Sequence, residues 1–402
     1  NRTIEGNFRI TLPQGATISR FAMKLGDRWQ EGEVLERQLA RRVYEDFLHR
    51  RQDPALLEQQ AGNEFSARVF PIPPRGVKEL IVSYSQELVR DTQPYAIPLQ
   101  GLPELGSLEL RVMLSKGEAG GAGGSSLGGA LLTSQLIEVK KERWTPDVDF
   151  TVPQAHTADR LGLRHENLVV ARITPLLEAQ PQEIASLFIL VDTSASRMLG
   201  FGKQLELVGK LVRGLADGAG PATPVAVAAY DQEVMPIFAG KAGDFGEAQL
   251  RKLAERLPLG ASDLNGALRW LGQELGKTPG TYERVILVTD GVATAGEVEG
   301  DKLGEAARGL AQGKVQRLDV LAVGGIRDDA TLARLVTAGL GQDGAVIEAD
   351  QPLAEIGRRL TQATRSRIQV AVEGAAWVWP QQLDGVQAGD QVLVYADLPV
   401  TQ

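Results

Sequence analysis

An apolar run that ends in one carboxylate and two hydroxyls is the clearest chemical signal in this sequence. The run Leu187 to Val191 has the composition of a buried strand and is followed by Asp192, Ser194 and Ser196. At positions i, i+2 and i+4, these side chains offer hard oxygen ligands to a small divalent cation. We therefore predict a metal-dependent binding site at the end of this strand.

Two other segments carry oxygen-bearing side chains in a similar setting. Arg284 to Thr289 has the pattern of a second buried strand, and Asp290 follows it. The polar loop 259–265, between the two strands, contains Ser262. Parallel strands of an open α/β sheet have their carboxyl ends on one edge, where ligands usually bind. If the two strands are adjacent, Asp192, Ser262 and Asp290 will therefore meet at that edge.

Helix capping is a simpler interpretation of the same residue types. Ser, Thr and Asp side chains that follow a strand often cap the next helix. Capping can explain residues 192–196 taken alone, but it does not explain why Ser262 and Asp290 follow in order. For Asp263 and Asn265, by contrast, helix capping is the favoured interpretation.

The three segments together resemble the von Willebrand factor A domain and its metal-ion-dependent adhesion site. The matching elements are Asp-x-Ser-x-Ser at 192–196, Gly-Ala-Ser-Asp-Leu at 260–264 and Val-Thr-Asp-Gly at 288–291. The resemblance implies that the cofactor is Mg²⁺, or else Mn²⁺ or Ca²⁺, and that a carboxylate of a protein partner completes its coordination shell. The metal set that it implies is Asp192, Ser194, Ser196, Ser262 and Asp290.

This chain departs from the family pattern near the predicted site. Ser262 stands where the family has threonine, and it lacks the methyl group that restricts the threonine rotamer. Ala195 and Arg197 stand where the family often has Gly and Met. These departures bear on metal affinity and not on the fold. A lysine or arginine that occupied the metal position would contradict the predicted site.

A second resemblance covers the N-terminal part of the chain. Its landmarks are Leu-Pro-Gln-Gly-Ala-Thr-Ile at 12–18, Arg-Val-Tyr-Glu at 42–45, Asp-Pro-Ala-Leu-Leu at 53–57 and Phe-x-Ala-Arg-Val-Phe at 65–70. Their order is similar to that of the VIT domain, named after the vault protein and inter-alpha-trypsin inhibitor, which usually precedes a von Willebrand A domain. The family's opening strands are missing here, so we expect an N-terminally truncated VIT module.

The organisation of the chain follows from its hydrophobic periodicity. A four-residue repeat predicts an amphipathic helix from Val34 to about Gln60, interrupted at Pro54 and followed by a short turn at 55–57. Strands and helices alternate from Ser186 to Arg365, which predicts a doubly wound, mainly parallel, Rossmann-like sheet. Because β-like segments flank this block on both sides, we expect it to be inserted in a β-sandwich that includes the VIT module.

Four regions result from this division. They are a VIT domain at 1–90, a continuation of the β-sandwich at 91–185 with a flexible Gly-rich loop at 117–129, the von Willebrand A domain at 186–365, and returning strands at 366–402.

Composition excludes several classes of function. The 402 residues carry a net charge of -8, which argues against nucleic acid as a partner. The chain has no cysteine, and therefore no disulfide or thiolate site. None of its three histidines lies in the α/β block, so no local base accompanies Ser194 or Ser196. We therefore expect no enzyme and no small-molecule substrate.

The predicted function is that of a non-catalytic, metal-dependent protein-binding or adhesion protein. The alternative is a structural module of a surface or envelope assembly in which the metal stabilises the loops. No apolar run is long enough to span a membrane and no signal-peptide pattern is present, so any membrane attachment would come through segments outside this sequence. We expect the protein to be secreted or located at the cell surface or envelope.

Overall fold

The computed structural model describes residues 3–13, 15–32, 55–59, 62–88, 94–100, 102–116, 133–152, 162–198 and 200–399. Most of the predicted amphipathic helix and the whole Gly-rich loop at 117–129 lie outside these residues. Residues 55–59 are described, and the predictions of a turn and of a helix reaching Gln60 are wrong there. This segment is a strand, because its backbone pairs with residues 65–69 and it buries Leu56.

Two small antiparallel sheets make up the described part of the N-terminal region. One sheet has the order β1-β5-β4 and the other β3-β2-β6. Their buried side chains include Ala22, Met23, Ala67 and Val69. The strands are β1 Ile4–Thr11, β2 Ala16–Leu25, β3 Arg28–Glu31, β4 Ala55–Gln59, β5 Glu64–Ile72 and β6 Leu80–Gln86.

Residues 92–154 form a compact unit of their own. Its long hairpin pairs β8 with β9, and a short pair joins β10 to β7. The bounds are β7 Tyr95–Ile97, β8 Leu105–Lys116, β9 Thr133–Trp144 and β10 Phe150–Val152.

A six-stranded sheet forms the centre of the α/β block. Its order is β15-β14-β13-β16-β17-β18, and every pair is parallel except β14 with β15. The central strands are buried on both faces, as expected when helices cover both sides of a parallel sheet. The strands are β13 Leu187–Asp192, β14 Pro224–Tyr230, β15 Val234–Lys241, β16 Arg284–Thr289, β17 Arg317–Ala322 and β18 Val346–Glu348.

Six described α-helices cover the two faces of this sheet. On one face, α3, α4 and α5 pack against Phe188 and Leu190, whereas α1, α2 and α6 pack against Leu187, Ile189 and Val191 on the other. This architecture confirms the predicted doubly wound α/β fold next to a β-rich region. The helices are α1 Phe201–Gly218, α2 Glu247–Ala254, α3 Leu264–Lys277, α4 Gly300–Arg308, α5 Asp329–Val336 and α6 Leu353–Leu360.

The remaining strands come from both sides of the α/β block in sequence. They form a sheet of order β11-β12-β22-β20 and a short pair, β19 with β21. The chain enters and leaves the block side by side, because Pro181 forms a bridge with Gln362. No described helix combines the length and the apolar character needed to cross a lipid bilayer. The bounds are β11 Gly162–His165, β12 Leu168–Ile173, β19 Ile368–Gln369, β20 Trp377–Trp379, β21 Gln382–Leu383 and β22 Val392–Asp397.

Candidate functional site

The predicted site lies where the winding of the sheet reverses. The chain continues from β13 outward to β14 and β15 on one side, and from β16 outward to β17 and β18 on the other. Asp192 is the last residue of β13, and Asp290 directly follows β16, its neighbour in the sheet. Connections that diverge at such a switch point leave a crevice at the carboxyl edge, where open α/β sheets bind ligands.

The carboxylate of Asp192 is buried and is satisfied by groups of the protein. Its Oδ1 atom accepts a hydrogen bond of 2.9 Å from the Ser194 backbone N–H. Its Oδ2 atom accepts from Thr289 Oγ1 at 2.8 Å and from Ser262 Oγ at 3.3 Å. Tyr230 Oη lies 3.1 Å from the same oxygen. The carboxylate is therefore oriented before any ligand binds.

Tyr230 and Thr289 were not among the side chains predicted for the site. Burial, followed by the nearby Asp192 carboxylate, raises the pKa of the Tyr230 hydroxyl well above its usual value, so the hydroxyl remains a donor. In the sequence, the feature that could have identified these two residues is their position at the ends of strands. Tyr230 ends β14 directly opposite Asp192, and Thr289 ends β16.

The two serines of the first segment form a pair beside Asp192. Their Oγ atoms lie 3.0 Å apart, with Ser194 buried and Ser196 exposed to solvent. Neither hydroxyl caps a helix, since residues 195–197 form only a short 3₁₀ turn and the N-cap of α1 is Gly200. The capping interpretation is therefore wrong for this segment, and both hydroxyls remain in the cluster.

The loop before α3 brings Ser262 to the same edge. Gly260 accepts a backbone hydrogen bond of 3.0 Å from Ala195, which ties this loop to the 3₁₀ turn. As predicted, Asp263 caps α3, accepting a hydrogen bond of 2.8 Å from the Gly266 N–H. Asn265 instead lies within the first turn of the helix and donates to the Lys302 carbonyl at 3.2 Å.

Asp290 is paired with Arg197, the residue that directly follows Ser196 in the sequence. The buried guanidinium of Arg197 forms an ion pair with Asp290 Oδ2, and Asp290 Oδ1 accepts a hydrogen bond of 2.9 Å from the Val292 N–H. Arg197 also donates to Ser196 Oγ at 3.2 Å. The structure thus brings all five predicted side chains into one hydrogen-bonded cluster, but it also brings Arg197 into it.

The pKa of Asp290 reflects this buried setting. Burial raises the pKa of its carboxyl to about 6, the Arg197 guanidinium opposes that rise, and the Asp192 carboxylate adds to it. The charge of Arg197 is therefore the main group that favours the ionised form of Asp290.

The donor set suits a hard divalent cation held by few carboxylates. Among the described residues, no group of three or more His, Cys, Asp or Glu side chains could hold a metal ion. Two carboxylates and three hydroxyls are available, and oxygens of these types are the ligands that Mg²⁺ and Mn²⁺ prefer. The oxygen ligands fit such an ion in chemistry, but the guanidinium of Arg197 lies among them, paired with Asp290 and Ser196. In this arrangement an arginine occupies part of the predicted metal position, which contradicts the predicted site for as long as Arg197 stays paired with Asp290.

Comparison with known proteins identifies the N-terminal region. Residues 1–84 match the family described as vault protein inter-alpha-trypsin domain. This region is a VIT domain. The match confirms the second of the two predicted resemblances, that to the VIT domain. No curated protein matches the sequence.

Several solved structures align with part of the chain, all at low sequence identity. A von Willebrand factor type A protein from Catenulispora acidiphila is 17% identical, with 58% of this chain and 62% of that chain covered and a TM-score of 0.35. An aerotolerance-related membrane protein from Bacteroides fragilis is 16% identical, with 44% and 98% covered and a TM-score of 0.34. Manganese-loaded TRAP protein from Plasmodium vivax is 15% identical, with 58% and 100% covered and a TM-score of 0.36.

The VIT domain contacts the rim of the α/β sheet close to this cluster. The side chain of Asn63 donates to the Gly325 carbonyl at 3.0 Å and accepts a hydrogen bond of 2.9 Å from the Arg327 N–H. The loop 324–328 that it holds follows β17, and its Asp328 N–H donates to the Asp290 carbonyl at 3.0 Å. The loop 324–328 therefore connects Asn63 of the VIT domain to Asp290 of the candidate site, with hydrogen bonds to each of them.

Proposed function

We propose that this chain is a non-catalytic protein-binding protein of the cell surface or envelope. In this proposal, a divalent cation held by the cluster at the carboxyl edge of the sheet captures an acidic group of a protein partner. The observation that carries the proposal is the convergence of Asp192, Ser194, Ser196, Ser262 and Asp290 at the switch point.

The chemistry of the cluster explains why a carboxylate would be captured. An ion held largely by neutral hydroxyls keeps positive charge that an anionic ligand can neutralise, and this charge is what the bound cation supplies. The protein's own part is to orient the oxygens, since Tyr230 and Thr289 hold Asp192 in place. Exposed Ser196 lies on the solvent side, where a partner could approach.

The loops that carry the cluster also favour a protein as the partner. Each exposes at least one large apolar side chain: Met198 is 60% exposed, Leu259 54% and Val298 51%. Protein-binding surfaces commonly combine exposed apolar side chains with polar groups. We therefore expect these three side chains to pack against the partner around the captured carboxylate.

A non-catalytic role is consistent with the side chains around the cluster. The described histidine His165 lies in β11, outside the α/β block, while His49 and His156 lie outside the described residues. A nucleophilic serine needs a base within hydrogen-bond reach. The described partners of the Ser194 and Ser196 hydroxyls are each other, the Arg197 guanidinium and the Asp290 carboxylate, and that carboxylate is itself paired with Arg197.

A structural role for the cation is the second candidate. The cluster joins three loops, because Ala195 donates to Gly260 and Thr294 donates to Ser262. A cation there would stabilise all three loops without any partner. A large rise in melting temperature with Mg²⁺, together with no metal-dependent partner, would favour this candidate.

The test is retention of surface proteins on the immobilised chain in Mg²⁺ or in EDTA. We expect a partner to be retained in Mg²⁺ and lost in EDTA, and lost from Ser196→Ala, which removes one hydroxyl at an exposed position. Asp301→Asn is the matched control, because it removes an exposed carboxylate from α4 and should retain the partner. Equal retention in EDTA and by Ser196→Ala would contradict the proposal.

A further inference from the structure

Each nitrogen of the Arg197 guanidinium donates a hydrogen bond within the candidate site. Its Nε atom donates to Ser196 Oγ at 3.2 Å, its Nη1 atom to the Val323 carbonyl at 2.8 Å, and its Nη2 atom to Asp290 Oδ2. Two of these three partners belong to the set proposed to hold the cation. Arg197 is only 3% exposed, so its charge lies inside the cluster and not on the surface.

The backbone around this guanidinium leaves room for it. Gly324, the second residue after β17, has a φ of +89°, and a Cβ atom there would lie 2.5 Å from Nη1 of Arg197. A side chain at this position would therefore displace the guanidinium as well as strain the backbone. Because Val323 and Gly324 on one segment and Asp290 on another all accommodate Arg197, its position belongs to the architecture of the site.

The positive charge of Arg197 determines its effect on metal binding. Arg197 neutralises the buried Asp290, which would otherwise be a buried and uncompensated anion. Two cations close to one carboxylate repel each other, and the repulsion is strong where water is excluded. Arg197 must therefore leave Asp290 before a divalent cation can use that carboxylate.

The local structure offers Arg197 a route outward. It ends the 3₁₀ turn Ala195–Arg197, where Ala195, Ser196 and Met198 are exposed. A rotation of a long arginine side chain can carry its charge to solvent, because only side-chain torsions need to change.

We propose that Arg197 is an internal counter-cation of the site, which occupies it in the metal-free protein and competes with divalent metal for Asp290. This inference rests on the proposed function and deepens it. Metal uptake then requires release of Arg197, so the chain would bind metal weakly on its own, and its site would remain neutralised at low metal concentration.

The test is a titration of the purified full chain with Mn²⁺ alone. Binding is measured by calorimetry and by the electron paramagnetic resonance signal of free Mn²⁺. We expect Arg197→Met to bind Mn²⁺ at least about tenfold more tightly than the unmodified chain, a change of about 1.4 kcal/mol. Arg197→Lys keeps a positive charge and should bind Mn²⁺ far less tightly than Arg197→Met. Arg269→Met removes an exposed arginine from α3 and should leave the affinity unchanged.

The outcomes separate this inference from the proposed function. If the unmodified chain and Arg197→Met bind Mn²⁺ equally well, and Asp290→Asn abolishes binding in both, the metal site stands and the competition is disproved. If only Arg197→Met binds, the competition stands and metal-dependent capture by the unmodified chain is disproved. Absence of Mn²⁺ binding in both folded proteins would overturn both proposals. Should Arg197→Met not fold, equal affinities of Arg197→Lys and Arg197→Ser would overturn the competition.

Discussion

Asp192 and Asp290 are both fully buried carboxylates at the same edge, yet the protein neutralises them differently. Asp192 is surrounded by hydroxyl and N–H donors, whereas Asp290 is paired with the charge of Arg197. Neutral donors do not compete with a cation, but a guanidinium does. At the scale of residues, the properties of the site therefore depend mainly on Asp290 and Arg197.

The titration of Asp290 makes the stability of the protein depend on pH. Its pKa is raised from 3.8 to about 6 in the folded protein, chiefly by burial. The folded state binds this proton more tightly than the unfolded state, so its contribution to stability is complete below about pH 4 and is lost as the pH rises through about 6. In EDTA, we expect the unfolding free energy of the unmodified chain to fall relative to Asp290→Asn between pH 4.5 and 7.5.

Urea denaturation of the two proteins at both pH values provides the measurement. The comparison cancels the other titrating groups, because the two chains share them. A stability difference that stays constant over this range would show that Asp290 does not titrate there.

At the scale of elements, the opposite edge of the sheet carries a second buried ionic cluster. Arg284 and Arg317 begin the adjacent strands β16 and β17, and both pair with Asp319, at 2.6 Å and 2.8 Å. Arg284 also donates to the Leu360 carbonyl at 2.6 Å, at the end of α6. This cluster ties the last helix to the sheet, at the edge where the chain enters and leaves the block.

Removal of the shared carboxylate should strongly destabilise the α/β block. Asp319→Ala leaves two buried guanidinium groups without their counter-ion, and loss of one partner of a buried pair typically costs about 3–5 kcal/mol. Urea denaturation should show a loss of this size, whereas the exposed control Asp301→Asn should change stability by less than about 0.5 kcal/mol. A loss below about 1 kcal/mol for Asp319→Ala would indicate that water or rearrangement replaces the carboxylate.

At the scale of the whole molecule, the VIT domain is attached to the rim that carries the site. Besides its bonds to Gly325 and Arg327, Asn63 is joined to β1, since its backbone carbonyl accepts from the Leu12 N–H at 3.0 Å. Gly62 is required beside it, because a Cβ atom at its φ of +64° would lie 2.4 Å from the Arg327 carbonyl oxygen. The turn therefore fits closely against the loop that follows β17.

Loss of the Asn63 amide should loosen this contact. Asn63→Ala removes several hydrogen bonds in a partly buried position, so we expect a fall of about 1–3 kcal/mol in unfolding free energy. Limited proteolysis should also become faster within residues 324–328. Asn7→Ala, which removes only an exposed bond to Ser66 in the same sheet, is the control and should do neither. Unchanged proteolysis in Asn63→Ala would show that the contact does not restrain the loop.

The sequence by itself was sufficient for features that depend on neighbouring residues. The apolar runs before Asp192 and Asp290 predicted buried strands, and the alternation of strands and helices predicted the doubly wound sheet. Both predictions are confirmed, because a strand that is buried on two faces needs apolar side chains at several consecutive positions. The capping role of Asp263 was predictable for the same reason.

Only the tertiary structure decided the features that depend on contacts between distant segments. Residues 55–59 became a strand through pairing with β5, which outweighed their local pattern. Arg197 was visible as a departure from the family pattern, but the direction of its long side chain depends on Gly324, Val323 and Asp290. These groups come together only when β13, β16 and β17 lie side by side, and no local spacing records that arrangement.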